Sequence, residues 1–200
     1  MQESIVTSFI QSPGFWYRVV CCIESQALRY WQMVQGNEVS VRDLQMANNL
    51  VWLAEKAFPG KKIIVWAHNG HIAKGTQSLE AVTNSEGAGF YATFVPMGFT
   101  ISQHFGKQAY AIGFSGSEGT YMDYTNSNII TVPQSPRTGI EEKIAESVHD
   151  YAFVDYRHAG NWFFQKQTAR LSDFADYKGV WPDVFDGFFY IRNSFPVDRR

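Results

Sequence analysis

The chain has 200 residues, of which 45% are hydrophobic and 18% are charged, and its formal net charge at pH 7 is −2. This length and composition fit one globular domain over residues 1–200 and exclude a disordered tail. The charge balance also excludes the clustered Lys and Arg that nucleic acids and anionic membranes attract, so we expect neither as a partner.

The two cysteines, Cys21 and Cys22, are adjacent, and a disulfide between them would be strained. The first ten residues lack the basic region and the apolar region of a signal peptide. No apolar run approaches the ~18 residues of a membrane span. We therefore expect reduced thiols and a cytoplasmic protein.

Two helices are predicted at the start of the chain. Apolar residues recur at steps of three and four in Phe15–Val34 and again from Val41 to Phe58. Ser40 is a good N-cap for the second helix, and Asp43 is placed to return a hydrogen bond as in a capping box.

A buried strand is predicted next, at the apolar run Ile63–Ala67. Such an unbroken run is typical of a strand that helices cover on both faces in a parallel sheet. Helix, tight turn and buried strand together form half of a parallel crossover unit. Because ligands bind beyond the carboxyl ends of such strands, the next residues, His68 to His71, are the predicted site.

Shorter elements are predicted along the rest of the chain. They are a long loop over the site at Gly75–Phe94 with a short helix near Leu79–Val82, a helix Pro96–Phe105 capped by Gly106, a buried strand Ala109–Phe114 ending in a turn at Ser115–Gly119, an edge strand Ile129–Val132, a helix Ile140–Val148 with Glu141, Glu142 and Glu146 outward, and strands Tyr151–Tyr156 and Phe188–Ile191. The pattern predicts an α/β fold with a buried, mainly parallel sheet flanked by helices.

His68 and His71 are three residues apart, a spacing that could bind a metal ion on a helix. No third ligand is evident nearby, and the glutamate of the zinc motif His-Glu-x-x-His is missing between them. Two neutral imidazoles suit general acid–base chemistry or donation to an oxyanion better. A purely structural role, in which they bond to backbone at the strand end, is the remaining interpretation.

Glu118 follows the second predicted strand in a glycine-rich turn, where it faces either the same crevice or solvent. That turn lacks the Lys-Ser or Lys-Thr of a phosphate loop. The Gly-x-Ser-x-Gly pattern of a nucleophile elbow fails at Ser117, which excludes a serine hydrolase of that type. Arg42 either pairs with Asp43 or faces the substrate.

Several stretches together resemble the erythromycin esterase-like family. Ile64–Ile72 is similar to its Trp-Ala-His-Asn-x-His signature, and Arg42–Asn49 is similar to its Arg-Asp-x-x-Met-Ala-x-Asn helix. Met97-Gly98, Gly106–Gly119 and Asp183–Ile191 follow in the family order. The resemblance covers about residues 38–195.

The resemblance implies hydrolysis of carboxylic esters or lactones, as in bacterial enzymes that confer resistance to macrolide antibiotics, with no metal or organic cofactor. His68 and His71 match the second histidine motif of the family, whose implied role is to orient or polarise the ester and water. Asn69, Glu118 and Arg42 would then bind a small-molecule ester substrate.

The family's other motif, a Gly-Glu-x-x-His-Gly-type stretch with the water-activating histidine, does not occur in these 200 residues. We therefore expect the C-terminal half of a larger domain, with part of a site around His68. The alternatives are a non-catalytic binding remnant that needs a partner chain, and a hydrolase in which both histidines bind a divalent metal. An incomplete sheet also predicts self-association through its exposed edge.

Overall fold

Two packed helices form the first part of the structure. The computed structural model describes residues 13–35, 40–82, 90–123, 126–147, 150–171 and 174–196. Helix α1 runs over Pro13–Val34, and α2 over Val41–Trp52 continues into a π-helical turn at Leu53–Ala57. The amide of Asn49 on α2 donates to Cys22 Sγ on α1 at 2.6 Å, so both predicted helices are confirmed as a pair.

The other elements are short. The helices are α3 Asn69–Ile72, α4 Phe90–Thr93, α5 Met97–Phe105, α6 Ile140–Ser147 and α7 Trp181–Val184, with 3-10 turns at Gly106–Gln108, Tyr156–His158 and Asn161–Phe164. The strands are β1 Glu80–Ala81, β2 Ile112–Met122, β3 Ile129–Thr131, β4 Tyr151–Asp155, β5 Gln167–Arg170, β6 Asp176–Gly179 and β7 Gly187–Ser194. Among the described helices, none is both long and apolar enough to cross a membrane.

The strands form two sheets, and the prediction of a mainly parallel sheet is wrong. One sheet has the order β3-β2-β7-β4, in which only β2 and β7 are parallel, and the other has the antiparallel order β1-β6-β5. Short connections join β2 to β3 and β5 to β6. Such connections allow only antiparallel pairing, because a parallel pair needs a long crossover. The long connection between β2 and β7 supplies one.

The predicted buried strand Ile63–Ala67 is also wrong. The segment from 61 to 68 is irregular, with the side chains of Ile64 and Trp66 exposed to 93% and 84%. None of the described strands pairs with it. An apolar run becomes a buried strand only where neighbours cover both its faces, and the described residues cover neither face fully.

The predicted turn at Ser115–Gly119 belongs instead to β2, which continues to Met122. Its glycines allow close approach to β7, since a Cβ on Gly116 would stand 2.5 Å from the carbonyl oxygen of Ile191. Gly119 has a φ of +97° and lies against the backbone of Ser194. Glycine there reflects strand packing and not chain reversal.

Of three other predicted elements, one differs in the structure and two are confirmed. Strand β1 replaces the short helix predicted near Leu79–Val82, because Glu80 and Ala81 pair with β6. The helix ending at Gly106 is confirmed, with that glycine at a φ of +52°. The edge strand at residues 129–132 is confirmed as β3.

The core joins α6, α7, β5, β6 and β7 around buried Ile140, Trp181, Phe185, Phe188 and Tyr190.

Candidate active site

His68 occupies the N-cap of α3, the short helix that follows the exposed segment. Its backbone is extended, with φ −63° and ψ 146°, and its Nδ1 accepts a hydrogen bond from the Gly70 N–H at 3.1 Å. A neutral imidazole carries one proton, so acceptance at Nδ1 puts that proton on Nε2. The neutral His68 ring therefore carries its N–H at Nε2, and the Gly70 hydrogen bond favours this tautomer.

Gly70 makes this arrangement possible because a side chain would not fit there. A Cβ on Gly70 would stand 2.9 Å from the hydroxyl oxygen of Tyr91 and 3.3 Å from Nδ1 of His68. The glycine between the two histidines is thus explained by the close approach of the His68 ring to the backbone.

Asn69 anchors α3 to the edge of β2. Its Nδ2 donates to the Phe114 carbonyl oxygen at 2.6 Å, and its Oδ1 accepts the Phe114 N–H at 2.9 Å. The side-chain amide thus pairs with the strand backbone as a neighbouring strand would. In the structure the predicted substrate-binding residue holds the site in place.

His71 lies in a chain of three side chains. Its Nδ1–H donates to Asp43 Oδ2 at 2.9 Å, and its Nε2 accepts from the Arg42 guanidinium at 3.3 Å. The Asp43 side chain is only 2% exposed and also accepts the Met97 N–H at 2.8 Å. The fold therefore brings His71 and Arg42 together, although they are 29 residues apart in sequence.

The predicted capping box at the start of α2 is wrong. Ser40 is at the N-cap position but makes no capping bond, and its Oγ accepts the Val95 N–H at 2.6 Å instead. Asp43 reaches His71 and Met97 and does not turn back to its own helix. Asp43 is thus a residue of the candidate site, for which the sequence favoured a capping role over a substrate-facing pair with Arg42; the Arg-Asp pair of the family-like helix was the available signal.

His68 and His71 have ring centroids 6.3 Å apart with their planes at 73°. His68 and Asn69 line an open cleft of about 1200 Å³ between the exposed segment, α5 and the first part of β2. His71, Arg42 and Glu118 do not line this cleft. His68 is therefore the histidine that faces the open space, and His71 stands behind it.

The remaining acidic and histidine candidates lie elsewhere. Glu118 is exposed on β2 and accepts from Arg192 on β7 at 3.2 Å, and its described hydrogen bonds do not reach the histidines. His104 pairs with Glu55 and His158 pairs with Asp155. His149, isolated in the sequence, lies outside the described residues.

Glu141 is fully buried, so the prediction that it faces solvent is wrong. Its Oε1 accepts the Ser115 hydroxyl at 2.7 Å and the Arg170 N–H at 2.9 Å. Arg170, 2% exposed, donates to the carbonyl oxygens of Gly116 and Pro133. Burial raises the pKa of Glu141 because the ionised form loses its hydration. Ser115 also lines the cleft, so this buried cluster supports its wall.

Glu141→Gln is expected to make stability less dependent on pH. A folded-state pKa above the ordinary value of 4.5 means that folding retains a proton that the unfolded chain releases. The contribution of Glu141 to the free energy of unfolding therefore falls as pH rises above about 4.5, until its folded-state pKa is passed. Urea unfolding from about pH 4 to about pH 8 measures this slope.

The glutamine variant keeps an oxygen that can accept from Ser115 and Arg170, so the two proteins differ mainly in charge. Asp176→Asn is the control, since burial raises the pKa of this half-buried carboxyl in the same direction. Asp176→Asn should remove only the part of the pH dependence of stability that Asp176 contributes. Equal slopes for Glu141→Gln and the wild type would contradict the assignment of Glu141.

The metal alternative depends on the donors around the histidines. Among the described residues, no group of three or more His, Cys, Asp or Glu side chains is arranged to hold a metal ion. A divalent cation at Nε2 of His71 would also stand beside the Arg42 guanidinium, where like charges repel. The donor set around His71 thus suits a neutral imidazole held between an anion and a cation.

Comparison with known proteins places this arrangement in a family. The model of the erythromycin esterase family matches residues 11–194. A protein of Bacillus subtilis (strain 168) named "Putative hydrolase YbfO" is 26% identical over 175 residues, which cover 84% of this chain and 38% of YbfO. The chain therefore spans about two fifths of the length of this curated relative.

Two solved structures share the fold. A crystal structure of a succinoglycan biosynthesis protein superposes with a TM-score of 0.62 at 23% identity, covering 77% of this chain and 38% of that one. A mutant of the erythromycin esterase EreC in its open conformation gives 0.60 at 20% identity, covering 84% and 41%. At these identities the likeness concerns the fold alone. With the family model matching most of its length, the chain belongs to the erythromycin esterase family.

Proposed function

We propose that this chain supplies part of an active site that hydrolyses carboxylic esters or lactones, macrolide lactones among them, without a metal or an organic cofactor. The observation that carries the proposal is the tautomer of His68, set by the Gly70 N–H at 3.1 Å beside an open cleft. Family membership supports the reaction class. The two free cysteines fit a cytoplasmic enzyme.

In the proposed reaction, water attacks the ester carbonyl carbon and a new C–O bond forms. The carbonyl oxygen becomes an oxyanion, which accepts a hydrogen bond from the Nε2–H of His68. When the tetrahedral intermediate collapses, the bond to the alcohol oxygen breaks, and that oxygen takes up the proton that the base had removed from water. His68 keeps its Nε2 proton throughout and donates only a hydrogen bond to the oxyanion, so the base is a different group.

His71 positions His68 in this proposal. Asp43 and Arg42 engage both ring nitrogens of His71, so the ring is held in one orientation, 6.3 Å from that of His68. Arg42 keeps further N–H groups on its guanidinium, so its predicted contact with the substrate stays a prediction. The substrate-binding role of Glu118 likewise stays a prediction, since its partner is Arg192 and it does not line the cleft.

The general base belongs, in this proposal, to the polypeptide that makes up the rest of the length of the relatives. The chain spans 38% of YbfO and 41% of the esterase EreC. None of the described groups near His68 is assigned as a base here, because the accepting nitrogens of both histidines are engaged.

The test is ester hydrolysis by the 200-residue chain, alone and mixed with the portion of YbfO that it does not match. The panel contains a macrolide lactone and simple aryl and alkyl esters. We expect turnover in the mixture, and His68→Ala is expected to lower kcat/KM by about 10²- to 10³-fold because an oxyanion donor is lost.

His104→Ala is the matched control, since this exposed histidine is held by Glu55 away from the cleft, and it should leave the rate unchanged. A His68→Ala rate equal to that of the wild type would contradict the assigned role. If the mixture forms a complex that hydrolyses no ester of the panel, the chain is a binding remnant and the proposed function is wrong.

A further inference from the structure

One face of the four-stranded sheet carries a row of aromatic side chains, here called the aromatic row: Trp66, Phe114, Phe153 and the half-buried Phe189. Phe114 of β2 is in register with Phe189 of β7, which is in register with Phe153 of β4. Successive ring centroids are 5.4, 5.3 and 6.4 Å apart. The row thus crosses three strands and reaches the segment before His68.

The aromatic row is exposed, although the solvent face of a sheet usually carries polar side chains. Trp66, Phe153 and Phe114 are 84%, 49% and 37% exposed, and Tyr151 beside them is 68% exposed. On the opposite face, Phe188 and Tyr190 of the same strand β7 are completely buried in the core. One face of the sheet is therefore packed, and the other presents a continuous apolar surface to solvent.

A polar border lies next to the aromatic row. A Cβ on Gly187 would meet both the Phe153 ring and the Tyr110 hydroxyl, so these two groups are neighbours. Tyr110 donates to Asp155 at 2.7 Å, and the Arg157 guanidinium lies over its ring at 4.6 Å. An apolar centre with a hydrogen-bonded polar border is the usual anatomy of a protein interface.

We infer that the aromatic row is a docking surface for an amphipathic helical layer, supplied by the polypeptide that makes up the rest of the length of the relatives. Two observations select this occupant. The chain spans 38% of YbfO and 38–41% of two solved relatives, so most of their length has no counterpart here. On the opposite face, Ile140 and Ile144 of α6 lie in one buried cluster with Phe188 and Tyr190 of β7, and a second helical layer would bury this face in the same way.

The dimensions agree with a layer of helix. The three strands of the row span about 10 Å between their axes, and the centroid distances put the whole row, with Trp66, at no more than about 17 Å. A helix with its side chains is about 10 Å across. One or two helices with an apolar stripe would therefore cover it. Docking there would also bury Trp66, which lies two residues before His68, and so would hold the exposed segment against the sheet.

The test measures binding and does not depend on catalysis. The 200-residue chain is mixed with the separately produced portion of YbfO that it does not match, and the masses are measured by sedimentation velocity. We expect a one-to-one complex. In the same titration, fluorescence of an apolar dye such as anilinonaphthalene sulfonate should be bright with the free chain and should fall as the complex forms.

Phe153→Lys and Tyr151→Lys each place a charge in the docking surface. Each is expected to weaken binding, raising the dissociation constant by about tenfold or more. Val82→Lys is the matched control: Val82 is as exposed as Phe153, at 49%, but lies next to β1 of the other sheet. It should change the dissociation constant by less than about threefold. Far-UV circular dichroism and thermal melting establish that each variant is folded.

Three results would overturn the inference. The first is the lack of a complex with the folded wild-type chain. The second is a complex that both lysine variants form as tightly as the wild type. The third is a homodimer of the wild type that Phe153→Lys disperses, since self-association would then make a second copy the occupant.

Discussion

Gly98→Ala is expected to destabilise the chain by about 3 kcal/mol or more, because α5 packs directly on the backbone that follows the histidines. A Cβ at this position would stand 2.5 Å from the carbonyl oxygen of Ala73 and would overlap the carbonyl of Ile72. Both contacts are backbone groups at the end of α3, so relief requires α5 or α3 to move. Urea unfolding followed by circular dichroism gives the free energy of unfolding.

Gly160→Ala is the matched control for this experiment. No atom lies within 4 Å of the added Cβ at Gly160, and its φ of −67° is ordinary for any residue. We expect a change in the free energy of unfolding within about 0.5 kcal/mol. Equal stabilities of Gly98→Ala and Gly160→Ala would contradict the close packing of α5 on α3. A displaced α3 should also change the fluorescence of Trp66, whose ring lies 5.4 Å from that of Phe114.

Asp43→Ala is expected to cost about 3 kcal/mol, whereas Asp43→Asn should cost about 1 kcal/mol. Alanine leaves two buried donors without an acceptor, the Nδ1–H of His71 and the N–H of Met97. Asparagine keeps an oxygen that can accept both bonds and loses only the negative charge. The free energy of unfolding of both variants, measured in urea at neutral pH, tests this difference.

Glu55→Ala serves as the comparison for Asp43, because it also removes a carboxylate from a histidine. The His104–Glu55 pair is exposed, with side chains 42% and 44% accessible, so its loss should cost less than about 0.5 kcal/mol. Equal costs for Asp43→Ala and Asp43→Asn would show that the oxygen acceptor is not what stabilises this site.

Local patterns in the sequence predicted the candidate site and revealed several elements. The residues His68 to His71 were identified from their position after an apolar run, and the structure places them on α3 beside an open cleft. The helix that ends at Gly106 was identified from its glycine cap, which has the positive φ that this role favours. These features depend on neighbours in sequence, so a single sequence can reveal them.

Features that depend on distant residues could not be predicted in this way. The sequence pattern favours Asp43 as a capping residue of its own helix. In the structure the Met97 N–H and the His71 Nδ1–H both bind its Oδ2 instead. Glu141 was assigned to solvent by helical spacing, yet Ser115 and Arg170 hold it in the core. In both cases a partner more than 25 residues away decides where the carboxylate lies.

The sequence by itself determined the family and the α/β composition, and it selected His68 and His71 as candidate site residues, because these follow from residue types at fixed spacing. Only the tertiary structure decided which histidine faces the cleft, which tautomer it holds and which strands are parallel. It also revealed that the apolar segment before His68 is exposed. Burial of an apolar run is energetically favourable, but it occurs only where other segments pack against that run.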